Sequence, residues 1–560
     1  MKKLFAVLKK WNPQLIVTLV AILALAPMAF KPTNNFEISK NLEIFTTLYK
    51  ELNTYYVDEL EPNEVMRNGI DAMLGQLDPY TNFISEAEME GYKMQTTGKY
   101  GGIGALIRNA NDKIVVAEPY KDYPADRAGL KAGDEVLQVD GQTITGKSVD
   151  DISKVLKGAP GTSVIIKVKR MQADASYKEI TVTLTREEIK IKNVPYYGMI
   201  NNNIAYIKLL HFTENAGKDV ADALESLKKT HDVKGVVFDL RGNPGGLLNE
   251  AVNVSNVFID KNEEIVSTRG KNEDWDKVFK TLNQPVDTKL PLVVLTSRGS
   301  ASASEIVSGS IQDLDRGVIV GQKTYGKGLV QTTRDLSYNT KLKLTTAKYY
   351  IPSGRCIQSL DYSHRNDDGS VGTVPDSLKT EFKTKNGRSV WDGGGIDPDV
   401  LVEHHDLSNI ALSLLSKNLI FDYATLFSSQ NTTMPSAKDF TVNEATFDAF
   451  VAYLKYKDYD YQTESEKALD ELKKNAEKEK YFDALSADYD EMKALLAHDK
   501  EQDLYTFKEE IMDLLTREIV GRFYYQEGII EASFKSDKDI LRALELFNNP
   551  AEYSALLLPQ

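Results

Sequence analysis

Cysteine is almost absent from this 560-residue chain: Cys356 stands alone, so no intramolecular disulfide and no thiol-built metal cluster can form. Histidine is nearly as scarce, at six residues, which opposes a histidine-rich metal site and predicts an activity without metal or other cofactor. Positive charge is short as well. Lys and Arg number 68 against 82 Asp and Glu, and the formal net charge of −14 argues against a nucleic-acid partner, which would want clustered basic residues. Glycine is missing between Gly395 and Gly521, and Pro435 is the only proline from residue 399 to 549. That punctuation-free stretch, rich in Leu, Lys, Glu, Asp and Tyr, reads as helical.

Long apolar runs are also rare, with one exception at the N-terminus. Leu15 to Phe30 is uncharged and nearly all apolar, and Lys2, Lys3, Lys9 and Lys10 precede it. Its length suits a signal h-region or a short membrane span, and the lysines ahead of it keep that end in the cytoplasm. Cleavage after Ala26 would put Pro27 beside the cut, which disfavours signal peptidase, so a retained anchor in the inner membrane is expected. The bulk of the chain would then lie in the cell envelope, on the periplasmic side.

With 42% hydrophobic and 27% charged residues the rest reads as globular, and its length suggests about three or four domains. From residue 35, Ile38, Leu42, Phe45, Leu48 and Leu52 recur at helical spacing until LDPYTNF breaks the pattern. Residues 98 to 187 carry short β-rich runs (KIVVAEPY, DEVLQVDGQTI, SVIIKVKR, ITVTLTREEI) and one short helix, VDDISKVLKG. From Ile191 to about Val402 strands and helices alternate. The run IAYIKLL, AGKDVADALESLKKT, GVVFDLRG, LLNEAVNVSNVFI, PLVVLTS, SASEIVSGSIQDLD, GVIVGQ predicts βα units on a mostly parallel sheet. The divisions are 1–33 signal-anchor or signal peptide, 34–97 N-terminal helical segment, 98–187 β-rich domain, 188–402 α/β core and 403–560 helical domain.

Chemistry concentrates in residues 297 to 331, SRGSASASEIVSGSIQDLDRGVIVGQKTYGKGLVQ. Gly321 to Lys327 matches a G-x-x-x-x-G-K phosphate loop, but Gly328 stands where a Ser or Thr must hold magnesium, and no helical stripe follows. That match is spurious. A serine at the turn from strand PLVVLTS into helix SASEIVSGSIQDLD would sit beside unpaired N–H groups at the positive end of a helix, a good place for a developing oxyanion. With no histidine nearby, Lys327 is the available base. A free lysine, with a pKa near 10.4, is only about 0.04% neutral at pH 7. Burial without a counter-charge must lower that value, and reaching about 7.4 takes roughly 4 kcal/mol. Local chemistry alone leaves this open against a bland reading, in which Ser300, Ser302 and Ser304 merely cap a helix and Lys327 lies on a surface turn.

The stretch closely resembles the C-terminal processing (tail-specific) serine proteases. Matching segments run in order from residue 40 to 402: LDPYTNF, GGIGALI, PADRAGLKAGDEVLQVDG, DLRGNPGG, GSASASEIVSG, TYGKGLVQ, YYIPSGRCIQ and GGIDPDV. The resemblance implies a multidomain α/β protein with a crotonase/ClpP-like protease core and an inserted β-rich PDZ domain. It makes Ser302 the nucleophile, Lys327 the general base and Gln331 the residue that orients the lysine. The oxyanion hole falls to the N–H of Ala303 and of Gly245 or Gly246. GL-x-x-GD followed by an apolar strand and DG resembles a PDZ domain, with Gly101, Gly102, Ile103 and Gly104 as the loop that holds a tail carboxylate on backbone N–H groups. Protein substrates with free, apolar C-termini are the implied partners. A rival reading keeps a tethered PDZ scaffold on a dead protease core, and the presence of both Ser302 and Lys327 opposes it. Residues 403 to 560 carry no readable motif and leave oligomerisation, adaptor binding and bracing of the core all open.

Overall fold

The computed structural model describes residues 35–404, 406–496 and 500–559. The apolar run expected to anchor the chain lies outside them. Among the described residues no single helix is long and apolar enough to cross a membrane.

Among the described residues two units are distinguished, one up to residue 77 and one from residue 78 onwards. In the first, helices Asn35–Tyr55 and Pro62–Gly75 form as the spacing predicts, and Pro62 begins the second at a position where its missing N–H costs nothing. The Tyr49 hydroxyl donates to Pro62 O at 2.7 Å. The stripe of Ile38, Leu42, Phe45 and Leu48 is exposed on its helix.

In the second unit a six-stranded sheet carries the core. Its order is Tyr196–Met199, Ile204–Lys208, Gly235–Asp239, Leu292–Thr296, Val318–Gly321 and Val400–Leu401, parallel except for the first pair. Side chains alternate between its faces. Val236, Phe238, Leu292 and Val294 meet helices Ala216–Thr230, Leu248–Phe258 and Ala303–Asp313, while Val237, Val293 and Leu295 point the other way into a second apolar cluster. Both faces are buried, which is why these strands read as continuous apolar runs.

Two departures from the sequence reading follow. Residues 78–97 are not simply helical: Asn82–Ile84 pairs with Lys341–Tyr350 in a five-stranded sheet that the sequence reading did not foresee. The C-terminal region also divides. Helices between Asn409 and Ser533 build their own core from Ile410, Leu414, Phe447, Phe450, Ile511 and Leu515. Ile540, Ala543 and Leu546 of helix Lys538–Asn548 instead cover the far face of the parallel sheet. Arg241, at the end of the Gly235–Asp239 strand, locks this helix on: it bonds Asp239, Asp537 at 2.9 Å and Asp539 at 2.7 Å. His404 Nε2 lies 2.9 Å from Asp539.

The β-rich domain is a six-stranded sheet from Ala105–Ala110 to Tyr177–Thr185, with helix Val149–Leu156 packed on Ala105–Ala110. Its core includes Ile103, Val116, Leu130, Val139, Ile152 and Ile166.

Because Ile540 is fully buried against the parallel sheet, Ile540→Ala should destabilise this unit by about 2–5 kcal/mol. A lowered urea midpoint followed on the α/β core checks this. An unmoved midpoint would mean that the helix is not part of that core.

Candidate active site

All eleven residues of the helix Ala303–Asp313 are buried. Such a helix tolerates only side chains that fit tightly and polar groups that find partners inside. The serines meet both demands. Ser304 Oγ donates to Asn243 O and Ser308 Oγ to Ser304 O, each at 2.9 Å. Just before the helix, Ser300 Oγ donates to Leu240 O at 2.9 Å and is fully buried. Of the GSASAS serines, Ser300 and Ser304 thus spend their hydroxyls on backbone carbonyls. Ser302 alone lines an open cleft of about 820 Å³. Its backbone has φ 54° and ψ −111°, a conformation that a non-glycine residue adopts at a cost of about 1–3 kcal/mol.

Lys327 lines the same cleft, at the end of loop TYGKG. Gly326 has φ +88°, and a Cβ there would lie 2.4 Å from Ser359 Cβ, so a side chain is excluded on both counts. Gly328 N donates to Gln358 Oε1 at 2.7 Å. The lysine Nζ sits 4.1 Å from the centre of the Tyr80 ring. Burial, helped by the Lys343 ammonium, lowers its pKa to about 8 against the opposing pull of Glu305 and Asp78.

Gln331 also faces the cleft, and its Nε2 donates to Thr345 Oγ1 at 3.1 Å. The hydrogen bonds described do not include one between Gln331 and Lys327. Thr345 in turn meets Thr81, whose hydroxyl and N–H reach Asp78, so LDPYTNF supports this wall of the cleft.

Opposite lies the loop after Asp239. Asn243 O accepts Ala301 N at 3.0 Å, which brings this loop against the serine turn. Gly245 has φ +98°, and a Cβ there would stand 2.8 Å from Ser302 Cβ and 2.9 Å from Ala303 N. Its own N–H is given to Asn243 Oδ1 at 2.9 Å. Gly246 instead abuts Phe212 O.

The glycines of the β-rich domain are divided. Gly101 and Gly102 belong to a strand paired with Glu188 and Glu187, Ile103 O accepts Ala125 N, and Gly104 O accepts Tyr120 N. Lys157, just past helix Val149–Leu156, lines the cleft that holds Ser302, so this domain borders that cleft.

Sequence reasoning missed Glu305. Its carboxylate is fully buried and accepts four hydrogen bonds: Ser302 N at 2.7 Å, Lys327 N at 2.9 Å, Gly326 N at 2.6 Å and Thr324 Oγ1 at 2.6 Å. Its position in S-A-S-E marks an N-terminal capping box, a signal that was available but reads as ordinary helix capping.

Comparison with known proteins gives matches to three family models. Residues 203–363 match the model for peptidase family S41, 115–170 that for a PDZ domain, and 410–547 that for the C-terminal helical domain of probable PDZ-proteases. A carboxy-terminal-processing protease of Bartonella bacilliformis is 35% identical over 347 residues, which cover 61% of this chain and 79% of that one. This chain belongs to the carboxy-terminal-processing protease family. A probable CtpA-like serine protease of Staphylococcus aureus is 34% identical over 320 residues, 57% of this chain and 62% of that one. Among solved structures, a photosystem II D1 C-terminal processing protease is 27% identical with a TM-score of 0.36, covering 64% of this chain and 86% of that one. The chain is thus an S41-family serine peptidase with a PDZ domain.

Lys327 gives a stability prediction. Its folded pKa, about 8, lies below the ordinary 10.5, so its charged form is disfavoured in the fold. The resulting penalty is largest below pH 8 and fades as pH rises from about 8 to 10.5. Lys327→Met should therefore be more stable than the parent at pH 7, by about 1–3 kcal/mol, with the advantage vanishing near pH 11. Denaturant titrations at pH 7, 9 and 11 check this, and a constant difference would count against a lowered lysine pKa.

Proposed function

We propose that this chain is an envelope serine endopeptidase that takes protein C-terminal tails through its PDZ domain and cleaves them with Ser302 and Lys327. The observation that carries the reading is the fate of the three serines. Ser300 and Ser304 are buried and committed to carbonyls, whereas Ser302 shares an open cleft with a lysine whose pKa is lowered.

At a pKa of about 8, roughly a tenth of Lys327 is neutral at pH 7, against a few parts in ten thousand for a free lysine. The neutral amine takes the Ser302 proton as Oγ attacks the scissile carbonyl. The resulting ammonium then protonates the departing amine, and water resolves the acyl-enzyme by the reverse route. Gln331 orients the lysine: with Nε2 held by Thr345, its Oε1 is the group left to receive the ammonium. Ala303 N–H, at the first turn of the helix, is one oxyanion donor. The commitment of the Gly245 N–H to Asn243 favours Gly246 as the other.

Leu247, Leu248, Ile306, Leu329 and Val330 line the cleft and suit an extended apolar segment. The tail carboxylate docks at Gly101 to Gly104, with Lys157 marking where the PDZ domain meets the cleft. The envelope location rests on Leu15 to Phe30 and the lysines before it.

Ser302→Ala and Lys327→Ala should each abolish cleavage of an unfolded protein while the fold persists, and the double variant should be no worse than either single. Activity that survives in Ser302→Ala but is lost in Ser304→Ala would overturn the choice of nucleophile.

Tail recognition has its own test. Amidating a substrate's C-terminus removes the charge that the glycine loop binds, and should lower kcat/KM more than about tenfold, over about 1.4 kcal/mol. Equal cleavage of amidated and free-acid peptides would mean that the PDZ domain does not read the carboxylate.

A further inference from the structure

We propose that Glu305 is a positioning residue for this reaction: its buried carboxylate ties the serine turn and the lysine loop into one unit, and turnover requires it ionised. The inference rests on the Ser302–Lys327 reading above and deepens it.

The geometry is specific. Ser302 and Lys327 stand on separate segments, one opening a helix and the other closing a loop after the next strand. Oε2 accepts the N–H of both residues, at 2.7 and 2.9 Å. Oε1 accepts Gly326 N–H and the Thr324 hydroxyl, both at 2.6 Å. The Thr324 hydroxyl is itself committed, since it receives Ile396 N–H at 2.7 Å. Each carboxylate oxygen thus meets two donors, an arrangement that only a group able to accept at both ends can satisfy. A glutamine would turn its NH2 towards two of those donors and leave N–H groups buried without partners. A protonated carboxyl would also present a donor to donors. Holding the Ser302 N–H from inside supports that residue at φ 54°, at the edge of the cleft that it lines.

The titratable groups facing Glu305 are Lys327 on the loop and the Tyr349 phenol from the antiparallel sheet, with Asp78 and Lys343 beyond the lysine. Burial raises Glu305 to about 7, against the pull of its four donors. Acidification therefore protonates both the clamp and the base over neighbouring ranges, and activity should fall faster than one proton allows.

Kinetics on the full chain with a free-acid tail peptide test this. Glu305→Gln should lower kcat a hundredfold or more while KM stays within about threefold. The acid limb of log kcat against pH should approach a slope of two in the parent and one in any residual activity of Glu305→Gln. Thermal melts and tail-peptide binding to the PDZ domain report whether that variant folds. If it does not, Thr324→Val and Thr324→Ser decide. The valine removes one donor and should lower kcat about tenfold with the acid limb moved to higher pH, and the serine should restore both. The proposal is overturned if Glu305→Gln keeps kcat within threefold of the parent, or if Thr324→Val matches Thr324→Ser in rate and pH profile. Ser302→Ala is measured alongside. Cleavage by that variant would sink the dyad itself, whereas a silent Ser302→Ala beside a fully active Glu305→Gln would sink only the clamp.

Discussion

The complete burial of helix Ala303–Asp313 is the constraint from which the rest of the site follows. A helix with no exposed face can carry a polar side chain only where partners wait inside: Glu305, Gln312 and Asp313 are each held by internal hydrogen bonds, and the other positions are alanine, serine, glycine, valine and isoleucine. Every hydroxyl it keeps must find an internal acceptor, and Ser304, Ser308 and Ser310 find backbone carbonyls. Gly309 leaves room for Ile351 and Ile396, whose side chains would stand within 3 Å of a Cβ there. Packed this way, the helix has no freedom to rotate. The residue at its mouth is then aimed by the whole core, and the backbone strain at Ser302 is sustained by contacts far from the cleft.

Charge placement obeys the same economy of space. A neutral lysine and an ionised glutamate are opposite demands, and they sit within one network. Lys327 loses its charge readily because it is buried and has Lys343 for a neighbour; Asp78 and Glu305 pull the other way and keep it from falling further. Glu305 can stay ionised despite full burial because it meets four donors, three of them backbone N–H groups fixed by loop geometry. The Tyr80 ring over the lysine supplies an apolar wall that also tolerates an ammonium. In the proposed role the lysine must pass between neutral and charged forms, which needs surroundings that oppose neither state strongly.

The far side of the sheet shows how a terminal segment contributes to a site it does not touch. Burial alone would raise the Asp239 carboxyl, but Arg241 and Lys208 outweigh it and hold it below the usual carboxylate range. Arg241 is shared with Asp537 and Asp539 at the start of the last long helix. The loop that leaves Arg241 is Gly242 to Gly246, the loop that presses on the serine turn. A buried ion network is weak evidence for stability but good evidence for register, since breaking one member strands the others. Of the roles left open by the sequence for the C-terminal region, bracing the core is the one that these contacts support.

Much of the α/β core was legible because its strands are buried on both faces and its helices carry clear stripes: AGKDVADALESLKKT corresponds to helix Ala216–Thr230. The antiparallel sheet was not. Lys341–Tyr350 is half-buried along most of its length and alternates lysine with threonine and leucine, so neither period stands out. The pairing of LDPYTNF and of the last helices was silent for a related reason: their partners lie more than two hundred residues away in the chain, and local pattern does not report distant pairing. Glu305 shows the limit most sharply. As sequence it is an acidic residue in the first turn of a helix, the commonest of capping signals. Its buried setting distinguishes it, because a carboxylate that merely capped a helix would face water. Here Oε2 completes the cap and Oε1 reaches a loop some twenty residues on, so one side chain closes the helix and fixes the lysine loop together. No spacing rule encodes that second half, since it exists only once the sheet has brought Val318–Gly321 beside Leu292–Thr296.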